Sequence, residues 1–454
     1  MIPSTAPAGP AAPQPPAHPV GFASMMGAMH PLREALHNEV HARPTEPMNA
    51  PLMLSHVANV GGNPSDIRRH LHTLLANRHL PVPSDTDSYI TADIGGVHLR
   101  WEQHTEFHTY TFSRALARDF NSSPGDSALP IAAAPQNWLR DLPGLWLVGM
   151  HVMVVLKDAA RAAPPVAVRQ WLDPDTLVAS AVFQGAATVY TDFRLHADGF
   201  GRWVIAVGSL EGLQLGRLVQ CVLEIETYRM MALLGLPAAR EVSRALATAE
   251  RDLADVAQHI QNAKADDESD LLRQLTRLAA QVEGLHAQTH ARFSASTAYF
   301  ELVQQRIEEL GESPIPGLKT LGQFMERRLH PAMQTCQWAA RRQQALSERI
   351  SRVSDMLRTR VDIAQQQSSQ ALLDTMNRRQ QAQLLLQAAV ESLSVAAVTY
   401  YGVGLVGYIV KGIHAAGVPI AAEPIAALAV PVIALGVWFG VRRRLHHRVQ
   451  DAAQ

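Results

Sequence analysis

Histidines and carboxylates recur in two places with spacings that could support metal or proton chemistry. In HPLREALHNEVHARP, His30, Glu34, His37 and His41 follow one another at intervals of four, three and four residues. Pro31 is a good first helical residue, and on a helix those intervals put all four side chains on one face. Imidazoles with a carboxylate suit zinc, nickel or another divalent transition ion. His30 and His41 would stand about 16 Å apart along the axis, so only adjacent-turn pairs such as His37 and His41 could share an ion. A hydrogen-bonded or partner-facing polar face, joined by Arg33, Asn38, Glu39 and Arg43, accounts for the same letters.

The second place follows Gly95 and Gly96, in VHLRWEQHTEFHTYTF. Read as one strand, its period of two sends Arg100, Glu102, His104, Glu106 and His108 to one side and Val97, Leu99, Trp101 and Phe107 to the other. His104, Glu106 and His108 could then hold a metal or act as acid and base. A solvated or domain-facing side of a half-buried sheet explains the same pattern. No GxSxG nucleophile elbow, no GxxxxGK[ST] phosphate loop and no dinucleotide-type GxGxxG leading into a helix is present, and GVGLVG at 402–407 lies inside an apolar stretch. No catalytic residue and no cofactor is therefore expected.

The elements that would position these residues change character along the chain. Residues 1–27 are rich in Pro and Ala and read as disordered. They lack the basic and apolar regions of a secretory signal, which leaves the body in the cytosol. Residues 28–237 read as an α+β cytosolic domain with a mostly antiparallel sheet. YITADI and the segment after Gly95–Gly96 form a hairpin, and LWLVGMHVMVVL, LVASAVFQ, AATVYTDFRL and RWVIAV are further strands. A helix through LQLGRLVQCVLEIETYRMMALLG stops near Gly235 and Pro237. Residues 238–391 read as a helical stalk, turned near AKADDESD and broken at GESPIPG. Leu346, Ile350, Val353 and Leu357 mark a short coiled-coil portion at the spacing of a seam; packing on a neighbouring helix of the same chain fits them equally.

Residues 392–441 read as two transmembrane helices. Ser392 to Val410 is 19 residues without a charge, roughly 28 Å of helix against a hydrocarbon core of about 30 Å. Pro424 to Val441 is a second uncharged stretch, with Trp438 and Phe439 beside Arg442, Arg443 and Arg444, as aromatics at headgroup level and cations in water require. Arginines flank both outer ends, while the loop between has only Lys411 and Glu423. The positive-inside rule thus puts both termini, including the basic tail 442–454, in the cytosol of an inner-membrane protein. Gly402, Gly404 and Gly407 open a strip for close helix packing, against another copy or the second span. Tyr400, Tyr401 and Tyr408 are polar enough that some should face a helix interface.

The whole chain of 454 residues has 40 Lys+Arg against 41 Asp+Glu, without the basic excess that nucleic-acid binding needs. Cys221 and Cys336 have no CxxC spacing, so neither a disulfide framework nor a thiolate zinc site is indicated. The expected partners are the membrane, further copies of the chain, and a cytosolic partner or ligand that the residues do not name.

At HPLREALHNEVHARP, LRWEQHTEF, LEIETYRMMALLGLP and YYGVGLVGY the chain resembles a bacterial family of predicted membrane-anchored proteins of unknown function, over nearly everything after residue 27. The resemblance implies an anchor and a cytosolic domain, and supplies no catalytic residues. In order of elements the chain also resembles CorA-type magnesium channels, which implies an oligomeric two-span transporter as the alternative function. The Gly-Met-Asn that ends the first span of those channels is missing from Gly404 to Val410.

Overall fold

The computed structural model describes residues 30–33, 36–37, 44–84, 87–117, 129–157, 165–262, 267–415 and 422–451. The N-terminal 27 residues, Glu34, His41 and residues 416–421 of the loop after Lys411 lie outside them. The chain divides into two compact units, one of residues 1–252 and 279–348, the other of residues 253–278 and 349–454.

Among the described residues the first unit has nine strands: β1 (Leu52–Val60), β2 (Tyr89–Asp93), β3 (His98–Gln103), β4 (Phe107–Ala115), β5 (Leu145–Leu156), β6 (Val178–Val182), β7 (Ala187–Thr191), β8 (Gly201–Val207) and β9 (Ser313–Pro314). They form one sheet in the order β2-β3-β4-β1-β5-β8-β7-β6-β9. Every pair is antiparallel except β5 with β8, where Met150 lies opposite Gly201. The α+β class and the largely antiparallel sheet are thus as the alternation of strands and turns indicates.

The β2–β3 hairpin forms for the expected reason. Gly95 and Gly96 take φ of 91° and 80°, a region costly for side chains with a Cβ, and the Asp93 carboxylate accepts from both of their amides.

Helix α1 (Pro64–Ala76) opens with Asn63 accepting from Ser65 N, a cap for an otherwise orphaned donor. Its buried Ile67, Leu71, Leu74 and Leu75 meet Leu99, Trp101, Tyr110 and Phe112 on one face of the sheet, together with Trp138 of α2 (Gln136–Arg140). Helix α3 (Val166–Trp171) covers the same face farther along, over Met53, Met153 and Val204. The opposite face receives α4 (Gly212–Leu233), whose Met231 packs with Ala58, Phe107 and Val148. Gly216 lets α4 approach the chain at Glu46, since a Cβ there would stand 1.9 Å from the Glu46 carbonyl oxygen.

Beyond α4 the described structure is helical apart from the two residues of β9, much as the sequence indicates: α5 (Gly235–Asn262), α6 (Glu268–Leu310), α7 (Leu321–Arg328), α8 (His330–Ala415) and α9 (Ala422–Asp451). Pro237 falls in the first turn of α5, where its missing N–H costs nothing. Within the first unit α8 joins α5 through an Arg342–Glu250 pair at 2.5–2.7 Å. Leu346, Ile350 and Leu357 are buried within this one chain, and in the second unit Arg360 bonds the Ile260 carbonyl and Glu268, both at 2.9 Å. Packing inside the chain is therefore sufficient to explain their spacing, without a second copy.

Candidate functional site

The strand face expected to carry Arg100, Glu102, His104, Glu106 and His108 is not one face. His104 N donates to the Phe107 carbonyl at 2.8 Å, and Gln103 pairs with His108, so the chain reverses over Thr105 and Glu106. The reversal separates the candidates. Arg100 and Glu102 stay together on the α4 side, joined at 2.8 Å. His104 stacks on Phe107, ring centroids 4.3 Å apart. Glu106 takes two hydrogen bonds from Arg292 of α6, at 2.6 and 2.8 Å. His108 points to the other face, buried beside Tyr110, and burial pulls its pKa down to about 4. Phe107, expected opposite the polar residues, instead packs toward α4. His37 is described and His41 is not. Among the described residues no group of three or more His, Cys, Asp or Glu lies close enough to hold a metal.

What the sequence does not show is a polar seam through the middle of the sheet. On the α4 face, His56 of β1 sits between Thr111 Oγ1 at 2.8 Å and Thr227 Oγ1 at 3.1 Å. Thr227 spends its own hydrogen on the Leu223 carbonyl at 2.8 Å. His56 must therefore donate through Nε2. Burial, with Arg100 nearby, pulls its pKa down to about 3. At the sheet margin Glu46 accepts from Tyr89 at 2.8 Å and from His98 at 3.1 Å. The hydrogen bond that His98 gives to Glu46 holds the His98 pKa up, while that of Glu46 is held down by His98 and Tyr89 against the opposing effect of burial. The cavity enclosed by Glu46, His98, Arg100, Thr111 and Leu223 measures about 10 Å³, room for one water at most.

On the other face, Ser55 Oγ is 2.9 Å from His151 Nδ1, and His151 Nε2 is 3.8 Å from Asp198. This resembles a nucleophile, base and acid in order, but three facts oppose the chemistry. Ser55 is wholly buried, so no substrate atom reaches it as the chain stands. The last step is too long for a hydrogen bond, and burial lowers the His151 pKa to about 4. The imidazole lies flat on Phe200, 4.2 Å between centroids, and Asp198 is turned to Arg202 at 3.4 Å. The seam holds strands and helix in register; it offers no open reaction centre. Both cysteines are buried, the Cys221 thiol pushed up to about 12 by burial and the neighbouring Glu224 and Glu309.

A roomier opening, a cleft of about 440 Å³, lies between α1 and α2, lined by His70, Asn77, Arg78, Asn137, Trp138 and Asp141 among others. Its walls are locked together. Trp138 Nε1 donates to the His70 carbonyl at 2.9 Å, His70 Nε2 to the Trp138 carbonyl at 3.0 Å, and the rings stack at 4.7 Å.

In the second unit, α8 carries the described stretch that is long and apolar enough to cross a membrane, and only 6% of it is buried. In α9 the apolar run Ala427–Gly440 falls short of the roughly 20 residues a full crossing takes; the second crossing rests on sequence alone. Gly402 does serve close packing: a Cβ there would stand 3.1 Å from Ile433 of α9, whereas nothing lies within 4 Å of Gly404 or Gly407. Tyr400, Tyr401 and Tyr408 are all about three-quarters exposed, so none faces a helix interface inside the chain. Trp438 meets Phe439 edge to face. The side chains of Arg442, Arg443 and Arg444 lie outside the described set.

Residues 28–449 match the family described as "Protein of unknown function (DUF3422)". The chain belongs to that family. No curated protein and no solved structure matches it, and nothing beyond the order of elements supports a CorA-like conductor. The family extent begins at residue 28, where the Pro/Ala-rich opening ends, and takes in the sheet, the helices and α9.

Proposed function

We propose that the protein is an inner-membrane-anchored scaffold or binding module, with its α+β body and both termini in the cytosol. The second span is residues 424–441. The chain self-associates and presents the body to a cytosolic partner or ligand. The observation that carries the anchor is the apolar stretch of α8, long enough to span and almost wholly uncovered by the rest of the chain. A core helix of a soluble protein would be buried, and a secretory signal would lie near the first residue. Self-association is supported by the large apolar residues exposed before that stretch, including Leu372, Leu373, Met376 and Leu384 to Leu386, since patches of this kind mark interaction surfaces.

Single cysteines test the reading. With His414→Cys, an impermeant maleimide should label intact cells; with Ser369→Cys, labelling should need permeabilised membranes. Full-length protein that washes off membranes in alkaline carbonate, with both positions labelled alike, would sink it.

A further inference from the structure

Helix α6 carries the sequence HAQTH, which places His286 and His290 four residues apart on one face. Their ring centroids are 4.9 Å apart and the planes are inclined by 38°. That separation fits two ligands of one ion. A zinc–nitrogen bond is about 2.0–2.1 Å and each ring centre lies about 1.2 Å beyond its nitrogen, so two imidazoles on one tetrahedral ion have centroids about 5 Å apart. His286 is half-buried and His290 exposed. Among the described residues neither ring has a hydrogen bond or an ion pair to give up. Thr289 between them is buried and receives a hydrogen bond from Gln343 of α8 at 3.3 Å, which anchors the helix behind the histidines.

We propose that His286 and His290 chelate a divalent transition ion, zinc or copper, with its remaining positions open to water. The backbone supplies the preorganisation, because a rigid helix sets the distance between two ligands on adjacent turns. With no third His, Cys, Asp or Glu close by among the described residues, the ion is held by two protein ligands and exchanges readily. The site is distinct from His37, His41, His104, Glu106 and His108.

The test uses full-length, untagged protein in detergent, modified with diethylpyrocarbonate with and without zinc chloride and read residue by residue by mass spectrometry. Zinc at about 100 μM should slow modification of His286 and His290 together, by about fivefold or more, while His259 of α5 stays reactive; copper(II) should protect the same two at lower concentration. His286→Ala and His290→Ala should each reduce bound zinc by one equivalent with the helical circular dichroism unchanged. Protection of only one ring, protection of neither, or undiminished zinc in both variants overturns the assignment.

Discussion

The sheet and the far end of α8 handle the same residue types in opposite ways. In the sheet, Trp101, Trp203, Leu54 and Met153 are excluded from water by helices on both faces. From Gln365 to Val390 α8 is exposed on every side, and its Leu372, Leu373, Met376 and Leu384 to Leu386 are each 60% or more exposed. Three consecutive leucines at 100° steps cover more than half the circumference of a helix, so one neighbour along a narrow seam cannot shield them. The first region is complete within one copy of the chain. The second is left uncovered by the described residues, which is what the proposed anchor and self-association would account for.

Four substitutions probe that contrast. Trp101→Ala empties a fully buried site and should cost about 3–5 kcal/mol in chemical denaturation of the body, with membrane retention unchanged. Loss of retention instead would show that the contrast is drawn in the wrong place. Leu405→Arg, in the exposed apolar stretch of α8, should do the reverse: about 3 kcal/mol against insertion, read as protein released to the soluble fraction, with the body's denaturation midpoint unmoved.

A third prediction concerns pH. His56 and His151 are held below the ordinary imidazole range in the folded chain. On acidification the unfolded chain takes up these protons first, so their contribution to stability is present above about pH 6.5 and is lost as pH falls toward 4. His151→Gln should therefore flatten the acid limb of stability against pH by up to about 1.4 kcal/mol per pH unit. An unchanged slope would mean that His151 is already protonated in the native state. Smallest of all, Leu385→Ala should change the unfolding of a single copy by less than about 0.5 kcal/mol, as substitution at an exposed position does. A larger effect that grows with protein concentration would reveal the neighbour that covers it.

What was legible in the sequence follows from range of interaction. The Gly95–Gly96 hairpin could be read because a positive φ leaves a residue signature. The reversal at Thr105–Glu106 could not, because neither residue announces a turn; the apparent alternation ran through it and assigned Phe107 and His108 to the wrong faces. The His56 and His151 seam was hidden for another reason. Thr227 and Asp198 come from elements far along the chain, and only the sheet order brings them near. His286 and His290 have the same adjacent-turn spacing as His37 and His41, but lie inside a long helical run where nothing in the sequence sets them apart. The spacing of Leu346, Ile350 and Leu357 spoke truly of burial but could not say whose surface does the burying.

The lone parallel pairing of β5 with β8 has a consequence for how the chain reaches its structure. Strands β6, β7 and β8 form a meander of near neighbours, and β2, β3 and β4 form another, with β1 and β5 beside it. Contacts between near neighbours close short loops and form early, whereas pairing across a long crossover pays a larger loop-closure entropy. The two meanders are therefore set to form first, and the longer-range pairings, β5–β8 where Val152 meets Trp203 and β1–β5 where Leu52 meets Val154, to zip later. Until they do, the meanders leave raw strand edges, and on an emerging polypeptide that interval is when a chaperone would find most to hold.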